Sequence, residues 1–455
     1  QKTKSLERRY CLVEYNTENS STIFKADGAH IAFSYYMQIQ CTRLLHNRRI
    51  QLMLAILALS ILVRIVFLEF YWIDTNAAWD DEPVYISVAE YIRSGNSWIS
   101  KDAPSTRPIL LSVLISPLVE LSNHTIRVSL VLLSSFTPLL IFYLSKRAFQ
   151  LNDLEAVIPS SIWVFYPPAI WYSGLILTES LTSLLITATT LCFIIIKESP
   201  KPHFVILTGV MMACLVLTRS SYVYLPFFVF TISILCNLES QKLLMELKKW
   251  TLIIFTVAII TSPVIIRNYN TIGSILPIET RLPYGLVISN GDLQSDIIMK
   301  GGYDKLSPAN LELSELSQLG TSYADLTVFA KTVVLNELTE HAILIPGILF
   351  NRTINYWGSR PDPFEPQITT NDIILSVIWI PILISFIFAL RFYKCTNIWI
   401  LMTIILYSYV TTIIFWSSPR FRFPTDSLII ILASVSILRS SPLIRKFTHL
   451  NKLKS

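Results

Sequence analysis

The sequence predicts an all-α protein, a polytopic bundle of membrane-spanning helices with further short helices at its outer face. Three observations carry this. Hydrophobic residues make up 52% of the chain and charged residues only 15%, and the mean hydropathy is +0.53, a balance that soluble domains rarely reach. Apolar runs of about 17–25 residues, long enough to cross a hydrocarbon core, recur along the chain. These runs show no alternation in polarity, which excludes membrane strands of the barrel type. The formal charge of +6 comes from basic residues in short loops and at both tails. That is a topology signal and not a nucleic-acid surface, because no soluble basic domain is visible. The six cysteines are scattered without a CxxC pair, so neither a disulfide framework nor a zinc site is indicated.

Residues 1–48 are polar and aperiodic and read as a cytoplasmic tail. His46, Arg48 and Arg49 precede the first span, Gln51–Trp72, and hold the N-terminus inside. That span starts too deep in the chain to be a cleavable signal peptide. The acidic run Asp80, Asp81 and Glu82 is therefore outside, followed by Pro83 and a helical apolar period at Val84, Val88 and Tyr91. The run from Arg107 to Leu121, at about 14 residues, is a short or re-entrant helix. Leu130–Leu144 is closed by Lys146 and Arg147. Val157–Tyr172 is broken at Pro167 and Pro168. Leu175–Ile196, Phe204–Leu217, Val223–Cys236 and Trp250–Ile266 follow.

Residues 267–370 form the longest hydrophilic stretch, with helices expected around Ser314–Leu319 and Tyr323–Leu338. His341–Tyr356 is apolar but holds Arg352, and is expected to lie at the interface without crossing. Ile373–Leu390, Ile398–Trp416 and Leu428–Leu438 are the last spans, and the basic tail keeps the C-terminus inside. A chain with both ends inside crosses an even number of times, here about 10–12. One conflict stays open: a full crossing by Arg107–Leu121 would put Lys146 and Arg147 outside. The organisation expected is a tail over 1–48, a membrane domain over 49–439 with outer loops 73–107 and 267–370, and a basic tail over 440–455.

On this topology Asp80, Asp81, Glu82, Arg107, Glu179, Arg219, Arg267, Arg420 and Arg422 all gather at the outer ends of spans. Charged groups at a bilayer edge are costly unless paired or placed in a wet cavity. Taken singly, an acid is a solvated helix cap and an arginine is a snorkelling anchor. Several arginines facing three acids suit transfer from an anionic lipid donor. A carboxylate can deprotonate an acceptor hydroxyl, and guanidinium groups can hold a phosphate as it leaves.

The motifs resemble the GT-C superfamily of glycosyltransferases that use lipid-linked sugars. The likeness is nearest to glycosyltransferase family 39, which includes the protein O-mannosyltransferases and the lipid A aminoarabinose transferases. It spans roughly Gln51 to Leu438. Asp81-Glu82-x-x-Tyr85-x-x-x-Ala89 matches the family's D-E-x-x-Y-x-x-x-A in the first outer loop, with Asp80 as an extra acid. Arg107-Pro108-Ile109-Leu110 stands where the family often has K-P-P-L, and Arg127 where an arginine commonly opens the next helix. Tyr172-Ser173-Gly174 through Glu179, Leu217-Thr218-Arg219, Arg267-Asn268-Tyr269 with Gly273, and Pro419 to Pro424 resemble further family patterns.

The resemblance implies a membrane catalytic domain over 49–439, a polyprenyl-phosphate sugar donor and an inverting transfer at the outer face of a plasma (inner) membrane. It implies Asp81 as base with Glu82 beside it, and a phosphate clamp of Arg107, Arg267, Arg420 and Arg422. Asp80, Tyr85, Arg127, Glu179, Arg219 and Asn268 would support them. No metal is expected, since no histidine lies near the acids, although some members of the superfamily use a divalent cation. The acceptor, whether lipid, glycan or protein, is left open. A lipid-linked-sugar flippase is the main rival. It too needs basic groups for a lipid phosphate, but transporters usually carry internal repeats and interrupted helices near the midplane.

Overall fold

The computed structural model describes residues 48–71, 81–95, 107–235, 240–273, 275, 278–360, 363–364, 367–392 and 396–440. Residues 1–54 and 55–455 form separate units by contact. Of the first, the described part is the helical start of α1 (Arg48–Tyr71). The rest of this section concerns the second unit.

Among the described residues there is no strand. After α1 come α2 (Glu82–Arg93), α3 (Leu110–Ile115), α4 (Asn123–Ser134), α5 (Thr137–Phe149), α6 (Asp153–Val164), α7 (Pro167–Trp171), α8 (Thr178–Glu198), α9 (Pro202–Thr218), α10 (Leu225–Leu235) and α11 (Ser240–Ile272). The hydrophilic stretch supplies α12 (Leu282–Asn290), α13 (Asp296–Met299), α14 (Pro308–Gln318), α15 (Tyr323–Glu340) and α16 (Ile345–Trp357). The chain closes with α17 (Thr370–Ala389), α18 (Thr396–Ile413) and α19 (Pro419–Ser440).

Six helices among the described residues are long and apolar enough to cross a membrane: α1, the joined α4 and α5, α8, α11, α17 and α19. The protein is thus a multi-pass membrane protein, but by this measure with fewer spans than the 10–12 expected. Shorter apolar helices occupy Pro202–Thr218, Ser220–Leu235 and Asn397–Ile413. The run Val157–Tyr172 is divided between α6 and α7, because Phe165 and Tyr166 leave the helix ahead of Pro167. The run after Arg107 forms only α3 and a 3-10 turn, Ser116–Leu118, too short to cross. That removes the charge conflict over Lys146 and Arg147.

The bundle is built around α19, which packs against α17, α8, α18 and α6 and is the most buried of the spans. Its seam with α8 is small and hydroxyl-rich: Thr187 and Ser427 share a 2.8 Å hydrogen bond across it. Lipid offers helices no hydrophobic drive to associate, so small residues and shared hydroxyls take its place. Close packing recurs between α9 and α11 at Gly209, where an added Cβ would lie 2.7 Å from Thr256 Cβ and 3.1 Å from the Ile253 carbonyl oxygen. Gly209→Ala will therefore destabilise the bundle by about 1–3 kcal/mol. An unchanged melting profile in detergent would contradict that packing.

The end of the bundle away from the acids is tied by Arg147 to Glu198 at 2.7 Å, Lys197 to Asn397 at 2.6 Å and Asn397 to the Ala148 carbonyl at 2.8 Å. At the other end, α12, α14 and α15 enclose a small core of Val287, Leu313, Leu326 and Ala330. The apolar run containing Arg352 is a separate helix: α16, with the 3-10 turn before it, bends 78° away from α15. Arg352 is buried and donates to Asn290 Oδ1 at 3.0 Å and to the Ser289, Ile413 and Ile414 carbonyls. It clips α16 to α12 and to the end of α18.

Candidate active site

The site begins at the entry to α2. Asp81 is its N-cap residue, but the side chain makes no capping bond, so the carboxylate is left for other partners. Arg107 Nη2 pairs with Asp81 Oδ1, and Arg420 Nη2 lies 3.4 Å from Oδ2. Arg107 comes just before Pro108 and α3, and Arg420 sits in the first turn of α19. Arg107, 26 residues from Asp81 in sequence, and Arg420, 339 residues from it, thus flank one carboxylate.

Burial works to raise the Asp81 carboxyl, and Arg107, Arg420 and Arg281 overrule it, so it titrates below the usual aspartate range. Arg420 also donates from Nε to Glu179 Oε1 at 2.5 Å, and Arg219 Nη2 stands 4.0 Å from the same oxygen. Arg219 lies over the Phe421 ring at 5.2 Å. Arg107 Nε, Arg219 Nη1 and Glu179 Oε2 are buried without a hydrogen-bond partner among the described residues. Buried polar atoms without a partner are rare in native interiors, and these three belong to one cluster of side chains.

Tyr85, one turn into α2, is buried beside this cluster. Burial, reinforced by Glu179, pushes its hydroxyl up to about 12, so it stays protonated as a hydrogen-bond donor.

Two residues of the cluster escaped sequence reasoning, Glu279 and Arg281. Glu279 accepts a 2.5 Å hydrogen bond from the Ser220 hydroxyl. Burial raises its carboxyl, against Ser220, Arg107, Arg281 and Arg219. Both residues lie in the long polar stretch, where charges are ordinary. The available signal was an acid and a base one residue apart just before the apolar start of α12.

Several expected residues stand elsewhere. Glu82, expected beside Asp81 as a second catalytic acid, is fully buried and has partners other than those of Asp81. Successive helical residues point about 100° apart, and here Asp81 and Glu82 meet different arginines. Glu82 takes a fork from Arg127, at 3.1 and 2.8 Å, and a 2.9 Å hydrogen bond from the Ile176 amide. Arg127 in turn donates to the Gly174 carbonyl at 2.7 Å. Through these contacts Glu82 fastens α2 to α4 and to the turn before α8.

Arg422, expected in the phosphate clamp, is also directed away. It bonds Asp426 at 2.9 Å and the Tyr356 and Gly358 carbonyls at 2.7 and 2.5 Å, and it covers the Trp379 ring at 3.5 Å. It is two residues from Arg420, about 200° around the same helix, so only one of them can face Asp81. Arg267 is buried and holds Asn268 Oδ1 through Nε and Nη2 at 2.9 and 2.7 Å. The second arginine on Asp81 is Arg420 and not Arg267. Asp80 lies outside the described residues.

Among the described residues no three His, Cys, Asp or Glu side chains are grouped to hold a metal ion. Each Asp81 oxygen already faces a guanidinium. Among the described residues this donor set does not fit a divalent cation.

No protein-family model matches the chain, and no curated protein does. Solved structures do. The chain is similar to the oligosaccharyltransferase of Archaeoglobus fulgidus solved with zinc and sulfate, with a TM-score of 0.52 and 11% identity over 89% of this chain and 51% of that one. It is similar to the archaeal oligosaccharyltransferase AglB of the same organism, solved with an inhibitory peptide and a dolichol-phosphate. There the TM-score is 0.50 and the identity 11%, over 90% of this chain and 52% of that one. ArnT from Cupriavidus metallidurans bound to undecaprenyl phosphate aligns with a TM-score of 0.39 and 10% identity, over 84% of this chain and 76% of that one. The chain spans about half the length of the two oligosaccharyltransferases. At these identities the likeness is one of fold.

Proposed function

We propose that this chain, which has the GT-C fold of membrane glycosyltransferases, moves a sugar from a polyprenyl phosphate to an acceptor hydroxyl at the outer face of the membrane. The observation that carries this reading is one carboxylate, Asp81, between two arginines, Arg107 and Arg420, at one end of a membrane helix bundle. AglB was solved with a dolichol-phosphate, which supports a lipid phosphate as the donor's anionic part.

In this reading Asp81 takes the proton of the acceptor hydroxyl. The freed oxygen bonds to the anomeric carbon, and the carbon–oxygen bond to phosphate breaks from the opposite side. The electron pair leaves with the phosphate, and the anomeric centre inverts. Arg107 and Arg420 hold that phosphate through N–H groups not used on Asp81, as charge-assisted hydrogen bonds at the leaving group. The arginines keep Asp81 ionised, and their engagement by the donor loosens their hold on it. Donor binding therefore makes Asp81 a stronger base.

The test is transfer of labelled sugar in proteoliposomes from polyprenyl-phosphate sugars to lipid, glycan and peptide acceptors. Label crossing the bilayer without covalent transfer would favour a flippase. The same assay reads pH dependence. Asp81 must be ionised to act, and its lowered pKa puts the acid limb of kcat/KM below the usual aspartate range. Arg420→Ala removes one lowering charge, so the limb will move to higher pH while the overall rate falls. A limb that stays in place would separate Arg420 from Asp81.

A further inference from the structure

Beside the acid–arginine cluster lies a cavity of about 460 Å³ between the end of α11, the start of α12 and the junction of α14 with α15. Its polar wall is Thr280, Arg281, Tyr284, Ser317, Thr321 and Tyr323. Two phenols and three hydroxyls give flat faces and hydrogen-bonding groups suited to a sugar ring. The charged side chain of the wall is Arg281. It is exposed and forms no ion pair or hydrogen bond among the described residues. It lines the cavity and is close enough to Asp81, Glu279 and Arg107 to feel their charges, so the cavity adjoins the acid–arginine cluster at Arg281. The Tyr323 hydroxyl is buried at the cavity wall, next to the Thr327 hydroxyl, which donates to the Tyr323 carbonyl at 2.8 Å.

We propose that this cavity is the acceptor site, and that Arg281 recognises an oxyanion, phosphate or carboxylate, carried by the acceptor next to its reactive hydroxyl. The inference rests on the reading of Asp81 as base and adds the acceptor's chemistry to it. A neutral acceptor filling this space would cover Arg281 without pairing it, at the cost of an unsatisfied charge. An oxyanion gains a two-pronged charge-assisted contact instead. Its hydroxyl then lies on the Asp81 side of Arg281, and the donor phosphate stays with Arg107 and Arg420.

The test measures binding to the full chain in nanodiscs. The probes are mannose 6-phosphate, methyl mannoside, phosphatidylinositol in the disc, and undecaprenyl phosphate. Wild type is expected to bind mannose 6-phosphate more tightly than methyl mannoside. Arg281→Ala should weaken that binding about 10–100-fold, and Tyr323→Phe less, both leaving undecaprenyl phosphate unaffected. Competition by phosphatidylinositol would mark a lipid-borne anion as the source, and its absence a soluble one. Equal binding of the neutral and phosphorylated sugars would overturn the proposal. So would an Arg281→Ala loss shared equally by undecaprenyl phosphate, which would assign Arg281 to the donor. Arg107→Ala reports separately on the donor reading, which fails if undecaprenyl phosphate binds that variant as it binds wild type.

Discussion

Asp81→Asn will lower transfer by about 10²–10⁴-fold, the range a positioned general base contributes, while the protein stays folded in the membrane. Its side chain is partly exposed at the bundle end, so the substitution leaves no buried hole. The loss should fall on kcat. Asparagine keeps the shape and one acceptor oxygen but cannot take a proton. Arg107 and Arg420, relieved of a negative partner, should hold the donor phosphate at least as tightly, so the donor KM should stay level or fall. Steady-state rates against donor concentration separate the two parameters. Full activity in Asp81→Asn would remove the residue from the chemistry. A raised donor KM with unchanged kcat would make it a binding group only.

The largest loss of stability is expected one residue further on. Glu82→Ala leaves Arg127 as a buried charge with its main partner gone, a change that typically costs about 3–5 kcal/mol. Both side chains are fully buried, so little solvent is present to screen the orphaned guanidinium. Denaturant or thermal unfolding in nanodiscs reads the effect. Glu82→Ala combined with Arg127→Met should recover much of it, because the double variant leaves no unpaired charge. If Glu82→Ala instead unfolded like wild type yet lost transfer as Asp81→Asn does, Glu82 would be a reacting acid and not a fastening.

Asp81, Arg107, Glu179 and Arg420 were legible because a charge at the edge of an apolar run is conspicuous. What sequence could not decide was direction. Arg420 and Arg422 read alike until the helix turned one toward Asp81 and the other toward Trp379. Asp81 and Glu82 divide in the same way. Glu279 and Arg281 were hidden for the opposite reason, since in a hydrophilic stretch nothing marks two charges as special. The helical class was plain from hydropathy. The number of long spans was not, because proline and short turns cut apolar runs into pieces that composition alone treats as whole.

The pairing of Asp81 with Arg420 also bears on how the protein is made. Arg420 stands in the first turn of α19, the last helix of the described chain. It emerges from the ribosome 339 residues after the carboxylate it flanks. Glu82 meets Arg127 after only 45 residues, and Glu179 waits 241 for Arg420. The scaffold of α2 can therefore be locked early in membrane insertion, while the charged centre stays incomplete until the final helix enters the bundle. A chain stalled before α19 would hold Glu82 against Arg127 and still lack the arginine that joins Asp81 to Glu179.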